Sequence, residues 1–335
     1  MTKIALLGAA GQIGTPLSLL CKASDLFTEI ALYDIVHAPG IATDLNHIDT
    51  KAKVSGFLPA DDGLVNALSG ADVVVVTAGI ARKPGMTRDG KQNRWLSYPS
   101  PQTNASIIWN IFSQVAKTCP KAISCIVTNP VNSTVPVAAE ALRAAGVFDP
   151  TRLFGVTTLD VVRASKFAAD ALGSDADPTS IKVPVIGGHS GATILPLYSQ
   201  AQPPIDLGAD LPKVINRVQF GGDEIVKSKQ GAGSATTCMA YAGFRFVKAL
   251  LAARAGTTTI EEAYVYLPGI PGGEEIATQL QVEYFAVKVE FGQQGAQRVL
   301  PIGDVSDDEK ALLQKAVSEL QVNIQTGLGF SAAGK

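Results

Sequence analysis

The sequence predicts an α/β protein: a doubly wound parallel sheet followed by an α+β second half. Three observations carry this. In the first half, short apolar runs alternate with segments of helical spacing, the order that builds a parallel sheet with crossover helices. Those runs are continuously apolar rather than alternating, which suits strands covered on both faces. In the second half, residues 264–267 and 284–289 read as strands of an antiparallel sheet set among longer helical patterns.

Taken in order, residues 4–7 are a strand of buried type, and a helix follows the glycines through Leu17, Ser18, Leu19 and Leu20. Strands are expected over 29–34, 54–57 and 73–77, a helix over 105–117, and a fifth strand over 123–128. Helical spacing runs over 156–172 and 235–253. A final helix is expected over 307–324, with Ser306 as N-cap and Glu309 completing a capping box. The seam between halves is placed at Asp149-Pro150, giving domains 1–149 and 150–335.

Composition narrows the function classes. With 28 basic and 30 acidic residues the formal charge is -2, without the basic surplus expected of a nucleic-acid binder. A hydrophobic share of 46% against 17% charged excludes a disordered chain. Cys21, Cys119, Cys125 and Cys238 are too sparse for a disulfide framework and lack zinc-ligand spacing. They read as core residues in a reducing compartment, and no metal is expected. No run reaches the ~18 apolar residues of a membrane span. Met1 leads straight into an apolar run, so the cytoplasm is the expected location. A mature mitochondrial form with its presequence removed is the alternative.

The strongest local signal is Gly8-Ala9-Ala10-Gly11-Gln12-Ile13-Gly14, which follows the first strand and opens a helix. Absent side chains let the backbone turn tightly and approach a pyrophosphate at the helix N-terminus. Asp34 falls 20 residues after Gly14, at the end of the second strand. A carboxylate there accepts hydrogen bonds from both adenosine ribose hydroxyls and repels a 2′-phosphate, so NAD is expected over NADP. The first half therefore reads as a Rossmann domain.

A second constellation suits carbonyl reduction. His189 lies between Gly187-Gly188 and Ser190-Gly191, and the flanking glycines are expected to leave its imidazole accessible. Asp160 and Arg163, three apart in a helical segment, share one face. One can orient an imidazole while the other grips a carboxylate with its planar fork. Arg82 and Arg88 sit in a basic stretch after a strand end, where ligands bind in open parallel sheets.

With these motifs in order, the chain resembles the NAD-dependent malate dehydrogenases of mitochondrial/bacterial type, fungal members above all. The matching segments include 8–14, 31–34, 82–88, 128–134, 153–163, 185–191 and 233–239. The resemblance implies reversible hydride transfer between NAD(H) and malate/oxaloacetate, a place in the tricarboxylic acid cycle, a small-molecule substrate and a homodimer. It implies that His189 exchanges a proton with the substrate oxygen while Asp160 holds its other nitrogen. Arg163 would clamp the carboxylate beside the reacting carbon, Arg82 the distal one, and Arg88 would polarise the carbonyl. Asn129 would contact substrate and cofactor, and Asn104, Val127 and Met239 would line the cofactor site.

One segment departs from that pattern. Arg88 and Asn104 are 16 residues apart, about nine more than the family pattern, an excess that costs little closure entropy. Its stretch 90–101 lies in the lid expected to close over substrate. Three readings stand: a tolerated excursion, a changed lid, or a segment translated from unspliced coding sequence. A changed lid leaves two alternatives open: a 2-hydroxy-acid dehydrogenase of altered specificity, or a lid-impaired NAD-binding paralogue. Gln12, where the family commonly has glycine, leaves the three glycines intact.

Overall fold

A computed structural model of the chain describes residues 2–80 and 104–333. Strand β1 (Lys3–Leu7) runs through the glycine turn into α1 (Gly14–Lys22). Then come β2 (Glu29–Tyr33), α2 (Ala38–Leu45), β3 (Lys53–Phe57), α3 (Gly63–Leu68) and β4 (Val73–Val76). The chain resumes with α4 (Asn104–Thr118), β5 (Ile123–Ile126), α5 (Val131–Ala144), β6 (Leu153–Val156) and α6 (Thr158–Leu172). Next are β7 (Val185–Gly187), β8 (Ile194–Pro196), α7 (Leu211–Ser228) and α8 (Thr237–Arg254). Last come β9 (Thr259–Tyr266), α9 (Gly273–Leu280), β10 (Tyr284–Gly292), β11 (Gly295–Val299) and α10 (Asp307–Ala333).

One sheet organises all of it. Its first six strands lie in the order β3-β2-β1-β4-β5-β6, every neighbouring pair parallel. This is the doubly wound arrangement, and its winding reverses between β1 and β4, where ligands bind beyond the strand ends. The four valines of β4 are wholly buried, as continuous apolar runs demand. Beyond β6 the polarity changes. β9 joins β6 antiparallel, with Gly155 opposite Tyr264, and β10, β7 and β8 extend the sheet antiparallel in turn. A second core, built on Val161, Ala164, Val183, Tyr198 and Val218, forms under α6 and α7.

The structure differs from the sequence reading at identifiable places. Val156 ends a strand and the helix begins at Thr158; four buried residues of β6 cannot be told from helix by periodicity alone. α5 went unpredicted, and it carries Pro136 within it. Pro136 lacks the N–H that would bond to Asn132 O, and the Tyr264 hydroxyl donates to that carbonyl instead (3.2 Å). α7 also went unpredicted. α10 carries the expected capping box, with Ser306 N–H donating to Glu309 Oε2 (2.9 Å) and Glu309 N–H to Ser306 Oγ (3.3 Å). It continues past the expected end at Ile324 to Ala333, through Gly327 and Gly329. A Cβ on Gly327 would lie 2.4 Å from Ser133 O, so that glycine serves the crossing of α10 over α5.

Of the four cysteines, Cys21, Cys119 and Cys125 are buried and all four are free. Burial pushes the Cys119 thiol up to about 11, so it stays protonated and inert. One buried acid has a measurable consequence. Glu262, on β9 opposite Lys288, is buried, and burial followed by repulsion from Glu261 pushes its carboxyl up to about 7. The folded state therefore binds this proton more tightly than the unfolded chain. Stability contributed by the neutral acid is lost as pH rises through about 7. Glu262→Gln is predicted to raise the melting temperature at pH 8.5 and to do so much less at pH 5.5, where both side chains are neutral. An equal shift at the two pH values would contradict this.

Candidate active site

The glycine turn is shaped by contact. Gly8 has φ +91° and a Cβ there would sit 2.4 Å from Ala78 N, so only glycine lets β1 turn beside β4. A Cβ on Gly14 would lie 2.1 Å from Gly8 O, so this glycine lets α1 start against the turn. At Gly11 the nearest atom is Gly8 O at 3.2 Å, which leaves its outer side for a ligand. Ala9 is buried, Ile13 is half-buried, and Gln12 is exposed, with its Oε1 2.7 Å from where a Gly233 Cβ would lie. No side chain caps α1 at Ile13 and no acid occupies its first turn. Its N-terminal N–H groups thus suit an anion.

Asp34 is tied to this turn. Its Oδ2 accepts from Ala10 N–H (2.9 Å) and its Oδ1 from Ile35 N–H (2.7 Å). Each carboxylate oxygen keeps a further lone pair, so a ribose diol can be accepted without breaking either bond. These residues fit NAD.

The ends of β4 and β5 form the next wall. Asn104, first residue of α4, accepts from Ile80 N–H at Oδ1 (2.7 Å) and donates from Nδ2 to Asn129 O (2.8 Å). It thereby holds the two strand ends together. Val127 is buried and its N–H donates to Val76 O (2.9 Å). Asn129 precedes a cis proline, and its buried Oδ1 has no hydrogen-bond partner among the described residues. Met239 is buried in the first turn of α8.

Asp160, Arg163 and His189 belong to the second half. Asp160 and Arg163 are both buried in α6, in a stretch that leaves strand β6. His189 follows β7, and its Nδ1–H donates to Asp160 Oδ2 at 2.5 Å. The imidazole is 2% exposed, which corrects the expectation of an accessible ring. The glycines before it serve the backbone: a Cβ on Gly187 would lie 2.1 Å from Thr193 O, and one on Gly188 2.7 Å from Asn132 Oδ1. Arg163 passes over Gly221, where a Cβ would lie 3.2 Å from its Nε. Arg163 Nη2, Asp160 Oδ1 and Thr158 Oγ1 are buried without a hydrogen-bond partner among the described residues.

Unpaired buried groups of this kind cost ~1–3 kcal/mol each and more when charged. A guanidinium nitrogen left so suits an anionic ligand, and a carboxamide oxygen left so suits a donor such as a hydroxyl or an amide N–H. Arg82, Arg88 and the stretch 90–101 lie outside the described residues. Sequence reading gave no role to Asn132, although it stands in the quoted motif. Its Oδ1 accepts from His189 N–H (2.8 Å), a contact across 57 residues that no local pattern reveals.

Comparison with known proteins yields consistent matches. Residues 2–155 match the family model for the lactate/malate dehydrogenase NAD binding domain, and residues 157–331 the model for its alpha/beta C-terminal domain. The chain is 46% identical over 329 residues to the mitochondrial malate dehydrogenase of Caenorhabditis elegans, covering 98% of this chain and 90% of that protein. The mitochondrial malate dehydrogenase of Schizosaccharomyces pombe is also 46% identical, over 331 residues, covering 98% and 92%. Among solved structures, Cryptosporidium parvum malate dehydrogenase superposes with a TM-score of 0.80 at 30% identity, covering 98% and 99%.

The turn geometry makes a binding prediction. Gly14→Ala forces a methyl into Gly8 O and should weaken NADH binding at least ~10-fold, about 1.4 kcal/mol, with the circular-dichroism spectrum retained. Fluorescence titration with NADH measures it. Undiminished affinity in a folded variant would show that the turn does not carry the dinucleotide.

Proposed function

The chain belongs to the lactate/malate dehydrogenase family, and from that premise we propose that it interconverts L-malate and oxaloacetate with NAD, using His189 as acid and base. The buried Asp160–His189 pair beside Arg163 is the observation that carries this reading. NAD, when bound, accepts the hydride from malate or supplies it to oxaloacetate. Residues 8–14 would hold its pyrophosphate and Asp34 its ribose, with Asn104, Val127, Asn129 and Met239 along the rest. This assigns most of the cofactor contacts to 1–149, with Met239 added from the second half, and the His189, Asp160 and Arg163 chemistry to 150–335.

Nδ1 of His189 is committed to Asp160, so Nε2 is the nitrogen that meets the substrate oxygen. In reduction, Nε2–H gives its proton to the carbonyl oxygen as negative charge develops there. In oxidation, neutral Nε2 takes the hydroxyl proton. Asp160 holds Nδ1–H and so fixes the ring in one tautomer. Arg163 grips the carboxylate next to the reacting carbon, which sets that carbon before Nε2.

Arg82 and Arg88 complete the site by resemblance: Arg82 for the distal carboxylate, Arg88 to polarise the carbonyl. A second guanidinium in a closed site favours a dicarboxylate, because pyruvate would leave that charge desolvated and unpaired. Both curated relatives named above are malate dehydrogenases, which favours malate over lactate. Altered specificity, or loss of turnover, rests on the extra residues within 90–101.

We further propose a homodimer. A hollow of ≈ 750 Å³ is lined by Leu19, Ile41, Leu45 and Ile48 on one side and Ala232 and Thr236 on the other, and Leu19 is 48% exposed. A recess of this kind, mainly apolar but with Asp44 and Lys229 in its lining, suits a second copy. Sedimentation equilibrium decides, with a mass twice that of the chain expected and a single-chain mass contradicting it. The relatives are mitochondrial proteins by name, which supports that compartment over the cytoplasm. Fractionation of the source cells tests it, and recovery in the cytosolic fraction would reverse it.

The assay that tests the reaction compares NADH oxidation with oxaloacetate and with pyruvate. Oxaloacetate should be preferred by at least ~10³-fold in kcat/KM, the several kcal/mol expected of an unpaired buried charge. Equal use of both would overturn the malate assignment. NADH binding without turnover of either would favour the lid-impaired paralogue.

A further inference from the structure

We propose that Asn323, on the C-terminal helix, is a positioning residue for His189 and acts on it through Asn132. This rests on the reading of His189 as the acid/base. The histidine turn is closed on itself: Thr193 N–H and Oγ1 both donate to Ser190 O (2.9 and 2.7 Å), and Thr193 O accepts from Gly188 N–H (2.8 Å). Such a turn is stiff internally but needs a fixed point to set its height against Asp160. Asn132 supplies that point, accepting His189 N–H at 2.8 Å.

Asn132 must itself be held. Its carbonyl, freed by Pro136, accepts from the Tyr264 hydroxyl. The two Nδ2 hydrogens face three acceptors: Ser190 Oγ and Thr193 Oγ1, each at 3.2 Å, and Asn323 Oδ1 at 2.9 Å. The shortest of the three comes from α10. Asn323 Oδ1 therefore fixes which way the carboxamide points and keeps Oδ1 of Asn132 turned to His189. A flipped carboxamide would present N–H to N–H and push the turn away.

The placement of Asn323 is firm without its side chain. Its carbonyl accepts from Ser133 Oγ (2.9 Å), and one helical turn later Gly327 admits α10 against Ser133 O. Asn132, Ser190 and Thr193 are 1% exposed or less, and Asn323 meets them from a half-buried position. In a dry setting each such bond counts for more, and each broken one costs more. A helix distant in sequence thus takes part in aligning the imidazole.

The test uses Asn323→Ala, Asn323→Asp, Asn132→Ala and the double alanine variant in the whole protein. Asn323→Ala leaves the Ser133 anchor in place, so α10 should stay docked. It should lower kcat for oxaloacetate reduction ~10-fold, with KM for oxaloacetate and NADH changed less than about twofold. Asn323→Asp keeps an acceptor oxygen and should recover most of the rate. Asn132→Ala should cost ~100-fold, and the double variant no more than that, because Asn323 acts through Asn132.

A second readout needs no turnover. The hydrogen-bonded His189 Nδ1–H should give a downfield proton resonance in the cofactor-free protein, identified by its loss in His189→Gln; the other two histidines, His37 and His47, are exposed. Asn323→Ala should move that line upfield and Asn323→Asp should restore it. An unchanged kcat and unchanged line in Asn323→Ala, or losses that add in the double variant, would overturn the proposal. If Asn132→Ala does not fold, the two Asn323 variants decide. If the parent protein does not reduce oxaloacetate, the proposed reaction fails while the resonance still judges the positioning.

Discussion

A buried imidazole bound to a buried carboxylate is the interaction on which the rest of this structure depends. Asp160 is fully enclosed, and a carboxylate taken from water is tolerable only with a close partner. His189 is that partner at 2.5 Å, and one carboxylate oxygen relies on it alone among the described residues. The bond constrains three segments far apart in sequence. α6 must begin just after β6 so that its first turn reaches inward. The glycine-lined turn after β7 must fold tightly enough to bring the ring to it. Asn132 on α5 must hold that turn's backbone.

The fold supplies a matching floor. The parallel strands β1, β4 and β5 end on one side, and glycines at those ends let main chain approach main chain. Gly8 passes Ala78, and a Cβ on Gly79 would meet Thr128 Cγ2 at 2.9 Å. Asn104 then ties the ends of β4 and β5 together. Because β9 continues the sheet from β6 with reversed polarity, the strand ends and the His189–Asp160 pair belong to one continuous framework. Charge follows the same logic. A chain total of -2 conceals a buried arginine, Arg163, with a nitrogen that has no partner among the described residues and suits an anion.

Much of this was legible in the sequence because it is local. The strand-turn-helix glycines, the acid at the end of the second strand, the buried run of valines and the capping box at Ser306 all express spacing within a short window. What escaped reading is non-local. Pro136 sits inside α5, and only Tyr264, 128 residues on, shows which group meets the carbonyl it leaves free. Gly327 is accounted for only by the crossing with α5, where no side chain fits. The glycines beside His189 were read as opening the ring to solvent, whereas they let the turn pack and the ring is closed in. Contacts between Asn132 and Asn323, 191 residues apart, leave no periodic trace at all.

The most direct test of the central claim is the pH dependence of kcat/KM in both directions. Reduction of oxaloacetate needs the protonated imidazole and oxidation of malate the neutral one. The account requires log(kcat/KM) for oxaloacetate to fall with unit slope as pH rises and that for malate to rise with unit slope. Asp160→Asn, which removes the carboxylate that holds Nδ1, should lower kcat/KM in both directions by at least ~100-fold. Profiles that run the same way in both directions, or rates that ignore the loss of Asp160, would contradict a reaction run through the His189–Asp160 pair.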